Sequence, residues 1–192
     1  MTKMGTAGAS IRRVRLSECL EEIARGVGPE WRKYRVIGAT RSGIAPAKES
    51  VGQTPERYKL VEPGTIFYNP MRILLGSIAM VDEGEPPGIT SPDYVVFRTR
   101  PDVLHHRWFY HWLRSTDGAA FIKTLSRGAV RERMLFRRLA SADIVIPLWD
   151  QQVAFAGHIV ALERVRRGAR DQLAAIDALP AALLRRTFNA EF

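Results

Sequence analysis

The chain contains little cysteine, little lysine and no long apolar run. Its 192 residues include a single cysteine, Cys19, which excludes an intramolecular disulfide and a zinc cluster built on several cysteines. No apolar run approaches the roughly 18 residues that a transmembrane helix needs. Residues 1–10 are rich in Gly, Ala and Thr and lack the apolar core of a signal peptide. We therefore expect a flexible leader over residues 1–10 in a cytoplasmic protein without a membrane partner.

The motifs of several large enzyme classes are also missing. The sequence has neither a Gly-x-x-x-x-Gly-Lys-Ser/Thr phosphate loop nor a Gly-x-Ser-x-Gly nucleophile turn. His105, His106 and His111 lack both the four-residue spacing and the nearby carboxylate of a helical metal site. Asn69-Pro70-Met71-Arg72 is similar to the Asn-Pro-Pro-aromatic motif of amino-group DNA methyltransferases, but the second proline and the aromatic residue are missing. The sequence therefore predicts a protein that is not an enzyme and that holds no metal or cofactor.

Arginine is what the chain has in excess. A formal net charge of +9 and a pI near 10.3 favour a polyanionic partner. Arginine suits DNA because its planar guanidinium donates two hydrogen bonds at once to a phosphate or a guanine. Residues 98–138 hold ten cationic side chains and three acidic ones. A balanced solubilising surface would show a smaller excess, so the composition predicts double-stranded DNA as the partner.

Short apolar segments separated by turns fill residues 11–148 and predict a mixed α+β globular domain. Residues 94–98 are the clearest strand, because they are β-branched and aromatic. After Pro101 the apolar spacing becomes helical. The predicted strands are 11–15, 34–38, 58–61, 65–69, 73–81, 94–98 and 143–147. One predicted helix begins at Leu16 with Ser17 as its N-cap, and two more span 102–115 and 116–125. A long loop is predicted over 38–56.

Loops supply the candidate DNA contacts. A long loop inside a compact domain often carries binding residues, and Gly128 would let the chain approach a phosphate backbone closely. The candidate DNA-binding residues, chosen by charge and loop placement, are Arg41, Ser42, Lys48, Arg72, Arg127, Arg131 and Arg133. The sequence leaves open which of them contact bases and which contact phosphates.

A coiled-coil pattern runs from about residue 150 to 179. Its apolar positions recur at alternating spacings of four and three, which is typical of a helix that pairs with another helix. The predicted seam comprises Phe155, Ile159, Leu162, Arg166, Ala169, Leu173 and Ile176. Arg166 is the basic exception in this seam, and the opposite face is heavily charged. A helix of about 29 residues would be about 44 Å long, so we expect a long C-terminal coiled-coil helix.

Several of these segments resemble one half of a type I restriction-modification specificity (S) subunit. Residues 62–72 (Glu-Pro-Gly-Thr-Ile-Phe-Tyr-Asn-Pro-Met-Arg) and 91–97 (Ser-Pro-Asp-Tyr-Val-Val-Phe) resemble parts of the family's target recognition domain. Residues 143–152 (Asp-Ile-Val-Ile-Pro-Leu-Trp-Asp-Gln-Gln) resemble the end of that domain. Residues 179–192 resemble the family's Leu-Pro…Leu-Leu…Ala-Phe-x-Gly-Glu-Leu ending, with Ala190 in place of Gly and Phe192 in place of Leu.

The resemblance implies a division of roles. Residues 11–148 would be a target recognition domain that binds DNA, and residues 149–192 a conserved coiled-coil helix with its tail, which serves dimerisation and spacing. S subunits are not enzymes; they recruit methyltransferase (M) subunits, and the assembly then recruits the restriction (R) subunit. Complete S subunits have two domains and two helices that pair antiparallel, whereas this chain has one of each. We therefore expect it to pair with itself as a homodimer.

Two other readings stay open. One is a DNA-modifying enzyme, a methyltransferase or a nuclease, with an unrecognised site. The other is a basic coiled-coil scaffold that binds an acidic protein. Self-pairing of a half-length subunit is the leading hypothesis, and the second possibility is a natural or cloned fragment whose other half lies elsewhere.

Overall fold

A computed structural model describes residues 11–47, 51–126 and 133–188. Its strands are β1 (Ile11–Arg15), β2 (Leu20–Glu22), β3 (Arg35–Thr40), β4 (Gly43–Pro46), β5 (Lys59–Val61), β6 (Thr65–Tyr68), β7 (Ile78–Met80), β8 (Gly88–Thr90), β9 (Val95–Thr99) and β10 (Asp143–Pro147). Its α-helices are α1 (Leu16–Cys19), α2 (His106–Leu113), α3 (Thr116–Ser126), α4 (Phe136–Ala140) and α5 (Trp149–Phe188). This element order confirms the predicted α+β fold with a long C-terminal helix. The leader expected over residues 1–10 lies outside the described residues.

Two four-stranded sheets and a two-stranded ribbon organise the first part of the chain. One sheet has the order β2-β9-β6-β7 and is antiparallel throughout. The other has the order β4-β3-β8-β5, in which β3 and β8 are parallel. The ribbon joins β1 to β10 in antiparallel register, with Ile11 opposite Pro147. The two ends of the domain segment are therefore held together by backbone hydrogen bonds.

The core lies on both faces of the central strands β6 and β9. Side chains alternate between the faces of a strand, so Ile66 and Tyr68 pack in one apolar cluster while Phe67 packs in another. In the larger cluster the rings of Phe97 and Phe109 meet edge to face with centroids 6.2 Å apart. All four residues of β6 are buried, and burial on both faces is what a near-continuous apolar strand predicts.

Three local predictions were wrong. The first helix ends at Cys19 because Leu20–Glu22 pairs with β9. Its N-cap residue is Arg15, so Ser17 does not cap it. Within the predicted loop over 38–56, Gly43–Pro46 forms a hairpin strand against β3. The predicted strand over 73–81 begins only at Ile78, after a 3-10 turn at Ile73–Leu75. Pairing with a distant strand overrides the local pattern at Leu20–Glu22, whereas a hairpin and a 3-10 turn with neighbouring residues account for the other two differences.

The first turn of α5 is anchored by one buried amide. Gln152 is completely buried, and its Oε1 accepts a hydrogen bond from the His105 backbone N–H at 2.8 Å. Its Nε2 donates to the carbonyl oxygens of Val103 and Pro147, at 3.2 and 2.9 Å. Trp149 lies against the His105 ring with centroids 5.6 Å apart. These contacts connect the end of the ribbon, the loop before α2 and the start of α5.

The chain divides into two compact units, and the second begins at Ala154. Its described residues belong to α5, which has 40 residues and is about 60 Å long. The helix was predicted to end near residue 179, but it continues through Pro180. The residues that follow Pro180 include Ala181, Ala182 and Leu183, which are strong helix formers. Every residue from 161 to 188 is exposed. None of the described helices is long and apolar enough to cross a membrane.

Candidate nucleic-acid interface

The turn between β3 and β4 presents the first two predicted contacts. The Thr40 hydroxyl donates to the Gly43 carbonyl at 3.0 Å and accepts from the Ser42 backbone N–H at 3.2 Å. Gly43 has a φ of 106°, which favours glycine at this position. The turn is therefore closed by its own hydrogen bonds, and the side chains of Arg41 and Ser42 are exposed on it.

The loop from Asn69 to Ser77 presents Arg72. The Asn69 side-chain oxygen accepts the Met71 N–H at 2.9 Å, and the Asn69 carbonyl accepts the Arg72 N–H at 3.0 Å. The Ser77 N–H then donates to the Arg72 carbonyl at 3.2 Å. The Asn-Pro dipeptide thus closes a turn of its own backbone, which accounts for this motif structurally. Arg72 is exposed at the centre of a loop held by these hydrogen bonds.

These two loops touch. Gly76 has a φ of 83°, and a Cβ built on it would lie 3.3 Å from the Cγ of Arg41. The Ser77 hydroxyl donates to the Ala39 carbonyl at 2.7 Å. The Arg114 guanidinium bridges the first loop and the start of β7, which follows the second loop. It donates to the carbonyl oxygens of Arg41 and Ile78 at 2.6 and 3.0 Å. Arg114 therefore positions the exposed Arg41.

A third segment, residues 133–138, adjoins the second loop. The Met134 N–H donates to the Pro70 carbonyl at 3.0 Å. Arg133 is half-buried, and its Nε is buried without a hydrogen-bond partner in the described part of the chain. Arg137, four residues further on, is exposed. We call residues 40–47, 69–77 and 133–138 together the arginine loop surface.

The arginine loop surface has one sign of charge. Its three segments contain five arginines and no acidic residue. It also exposes large apolar side chains, since Met71 is 64% and Leu75 is 73% exposed. Arginines can neutralise phosphates and donate to guanine, and apolar groups can contact thymine methyl groups. The surface therefore offers both kinds of contact that a DNA duplex accepts.

The structure places four of the seven predicted DNA contacts on this surface. They are Arg41, Ser42, Arg72 and Arg133; Lys48, Arg127 and Arg131 lie outside the described residues. Sequence reasoning missed Gly76, which lets the first two loops touch, and Arg114, which holds them. The glycine was visible as a turn signal, but nothing local indicated that its neighbour would be Arg41.

Several arginines of the basic segment have intramolecular roles, and Arg138 of the arginine loop surface is one of them. The Arg107 side chain is 9% exposed and forms salt bridges with Asp82 and Glu83. Arg98 lies 3.7 Å from the Glu62 carboxylate, and Arg138 donates to the Leu125 carbonyl. The excess of charge over residues 98–138 thus overstates the number of free cations. The candidate interface therefore rests on the exposed arginines of the arginine loop surface, Arg41, Arg72 and Arg137.

A cleft of the first unit gathers two histidines. A cleft of about 410 Å³ is lined mainly by apolar atoms and by His105, His106 and Trp149. Burial lowers the pKa of His105 and of His106. No group of three or more His, Cys, Asp or Glu side chains that could bind a metal occurs among residues 11–47, 51–126 and 133–188.

The seven seam residues follow α5 from its second turn. Phe155 and Ile159 are half-buried, whereas Leu162, Leu173 and Ile176 are 44%, 59% and 59% exposed. The other two positions, Arg166 and Ala169, are exposed. Exposed leucine and isoleucine at this spacing are typical of a helix that pairs with another helix. Pairing through the seam stays a prediction.

The described residues form an α+β domain with a cationic loop surface, followed by one long helix. No protein-family model matches the sequence, and no curated protein matches it. Solved structures that share the fold include the following two. One is a chain from a study of complex assembly and conformational transition of the type I restriction-modification (R-M) system, with a TM-score of 0.57 and 19% identity over 89% of this chain. The other is the HsdS subunit from Thermoanaerobacter tengcongensis, with a TM-score of 0.57 and 21% identity over 83% of this chain.

The chain spans less than half of either solved chain, 47% of the first and 44% of the second. At this identity the likeness shows the fold. It confirms the fold implied by the sequence resemblance, that of half of an S subunit.

Proposed function

We propose that this chain is a DNA recognition subunit of a type I R-M system. It binds double-stranded DNA through the arginine loop surface and catalyses no reaction itself. The single observation that carries this proposal is the combination of an HsdS fold with three exposed arginines, Arg41, Arg72 and Arg137, on adjoining segments that hold no acidic residue. A fold alone hosts many functions, so the charge and exposure of this surface are needed to argue for DNA.

The subunit acts as a homodimer through α5. The support is the exposed apolar seam of α5, because each Å² of apolar surface left in water costs roughly 25 cal/mol of free energy. Two copies related by a two-fold axis would bind identical half-sites, so the DNA target is an inverted repeat. A helix of about 60 Å corresponds to about 18 bp at ~3.4 Å per bp, which limits the gap between half-sites.

The dimer positions an M subunit, and through the assembled complex an R subunit, on the two half-sites. The support is the R-M system in which one of the two similar chains was solved. A pull-down of purified M subunit by the wild-type chain tests this association directly. Failure of the M subunit to bind, while DNA binding persists, would reject the partner and keep the DNA-binding role.

A selection from a random duplex library tests DNA recognition. The wild-type chain, alone and with its M subunit, should enrich one inverted repeat. Arg41→Ala and Arg72→Ala should each weaken binding to the enriched duplex by about tenfold. Arg32→Ala is the matched control, because Arg32 is exposed, lies over the Trp31 ring and does not belong to the arginine loop surface. A library that emerges unenriched would reject the proposal.

The same purified protein distinguishes the competing readings. A methyltransferase or nuclease would bind S-adenosylmethionine or Mg²⁺ in a calorimeter, whereas the proposed subunit binds neither. A scaffold for an acidic protein would bind DNA weakly and without sequence preference. A steep salt dependence with a sequence preference added to it identifies a DNA recognition subunit.

A further inference from the structure

The exposed seam of α5 has an internal order that a partner helix must match. Its seven predicted positions alternate between the two core sites of a heptad, with Phe155, Leu162, Ala169 and Ile176 at one site and Ile159, Arg166 and Leu173 at the other. Glu163 and Arg170 flank this seam on the same side and are exposed. A small residue, a basic residue and a charged pair fall close together, so few alignments satisfy all of them.

We propose that a second copy of this chain covers the seam antiparallel, with its Leu173 against Leu162. This inference rests on the self-pairing proposed above and specifies its orientation and register. The two-fold axis then passes between Arg167 and Gly168. It adjoins the midpoint of α5 (Trp149–Phe188), so nearly the whole helix overlaps with its twin.

The apolar layers agree with this register. Leu162 faces Leu173 of the second copy, and Ile159 faces Ile176. Three of these four side chains are at least 44% exposed in the single chain. Symmetry repeats each layer, so the pairing covers four apolar layers around the axis. Removing this apolar surface from water stabilises the pair.

The register also places the basic seam residue. Arg166 lies opposite Ala169 of the second copy, the smallest side chain of the seam. The room left by the alanine lets the arginine stem pack along the seam while the guanidinium reaches water at the edge. In a parallel pair Arg166 would face Arg166 of its twin, and two like charges across a core layer repel each other.

The flanking charges select among the antiparallel registers. In the proposed register Glu163 lies beside Arg170 of the second copy, and symmetry makes this ion pair twice. A shift of one heptad in one direction brings Arg170 beside Arg170 and Glu163 beside Asp177. A shift in the other direction brings Glu163 beside Glu163. Only the proposed register pairs opposite charges at these positions.

Engineered cysteines test the orientation and register. Leu162→Cys chains and Leu173→Cys chains, mixed and oxidised, should form a disulfide-linked dimer that contains one of each, identified by intact mass. Neither variant alone should cross-link, because each cysteine would face a leucine. Wild-type protein is the background control: Cys19 is buried, and burial raises the pKa of its thiol.

Charge exchange tests the same register without a covalent bond. Glu163→Arg and Arg170→Glu should each raise the dimer Kd by about tenfold, and the double variant should recover the wild-type Kd. Asp171→Arg is the matched control for Glu163→Arg, because it also replaces an acidic residue by arginine but lies on the face of α5 opposite the seam.

The outcomes separate the register from the self-pairing itself. Self-cross-linking of Leu162→Cys, or a double charge variant that stays weak while the wild type is dimeric, would overturn the register and leave the homodimer standing. Light scattering that shows a monomeric wild type at micromolar concentration would reject both.

Discussion

Gln152 shows how one residue can determine where an element begins. Its amide satisfies three backbone groups, from His105, Val103 and Pro147, in a completely buried position. A buried backbone group that loses its partner costs far more than an exposed one. The neighbouring Gln151 is exposed and has the same side chain.

We expect Gln152→Leu to lower the free energy of unfolding by about 2–4 kcal/mol, because leucine fills the space but leaves buried N–H and C=O groups unpaired. Gln151→Leu should change it by less than about 0.5 kcal/mol. Urea unfolding followed by tryptophan fluorescence measures both. Equal stability of the two variants would contradict the anchoring role of Gln152.

We expect His105 to make the stability of α2 depend on pH. Its Nδ1 accepts the Arg107 N–H at 3.2 Å and so caps the helix. Burial is the main cause that lowers the pKa of His105, of His106 and of His111 in the folded chain. Below the ordinary histidine pKa of about 6.5, the unfolded chain takes up protons that the folded chain does not, so stability falls as the pH falls.

The urea midpoint should therefore decrease between pH 7.5 and 5.5. His105→Asn should show a smaller decrease, because asparagine is a good N-cap whose acceptor oxygen does not protonate. His158→Asn, which changes an exposed histidine on α5, should behave like wild type. An unchanged pH dependence in His105→Asn would show that the cap does not titrate.

At the scale of elements, the arginine loop surface depends on a contact between two loops. Gly76 and Gly84 have nearly the same positive φ, 83° and 86°. A Cβ at Gly84 would meet nothing within 4 Å, whereas a Cβ at Gly76 would press on the Arg41 side chain. Substitution at both glycines strains the backbone, but only substitution at Gly76 also displaces Arg41, so a comparison of the two separates these effects.

Gly76→Ala and Gly84→Ala should each cost about 1 kcal/mol of stability from the left-handed backbone conformation. Only Gly76→Ala should also weaken DNA binding, by displacing Arg41. Thermal unfolding and fluorescence anisotropy with the selected duplex measure the two effects. Wild-type DNA affinity in Gly76→Ala would indicate that the contact with Gly76 does not position Arg41 for DNA binding.

At the scale of the whole molecule, net charge and site charge can be told apart by salt. The chain carries +9 overall, so any DNA duplex should attract it at low ionic strength. Each phosphate contact adds about 0.9 to the slope of log K against log salt concentration. Leu75 is exposed on the same surface but carries no charge.

Arg72→Ala should thus reduce the magnitude of the salt slope by about 0.9, while Leu75→Ala should leave the slope unchanged even where it lowers affinity. Anisotropy titrations from 50 to 200 mM salt, about the range in which such slopes are resolved, measure both. A slope that is the same in wild type and Arg72→Ala would remove Arg72 from the phosphate contacts.

The sequence by itself determined the α+β class, the ribbon strands at the two ends of the domain and the long helix with its seam. These features follow from the spacing of apolar residues and from composition, which are properties of residues close together in the chain. It also indicated the loop arginines Arg41 and Arg72, because loops and charge are local properties.

Only the tertiary structure decided which segments meet. Leu20–Glu22 follows a predicted helix but pairs with β9, and Arg114 lies in the basic segment but holds the Arg41 turn from behind. Gly76 meets Arg41, which lies more than thirty residues earlier in the chain. Such partners are chosen by burial and by backbone hydrogen bonds between distant segments, and no local pattern encodes that choice.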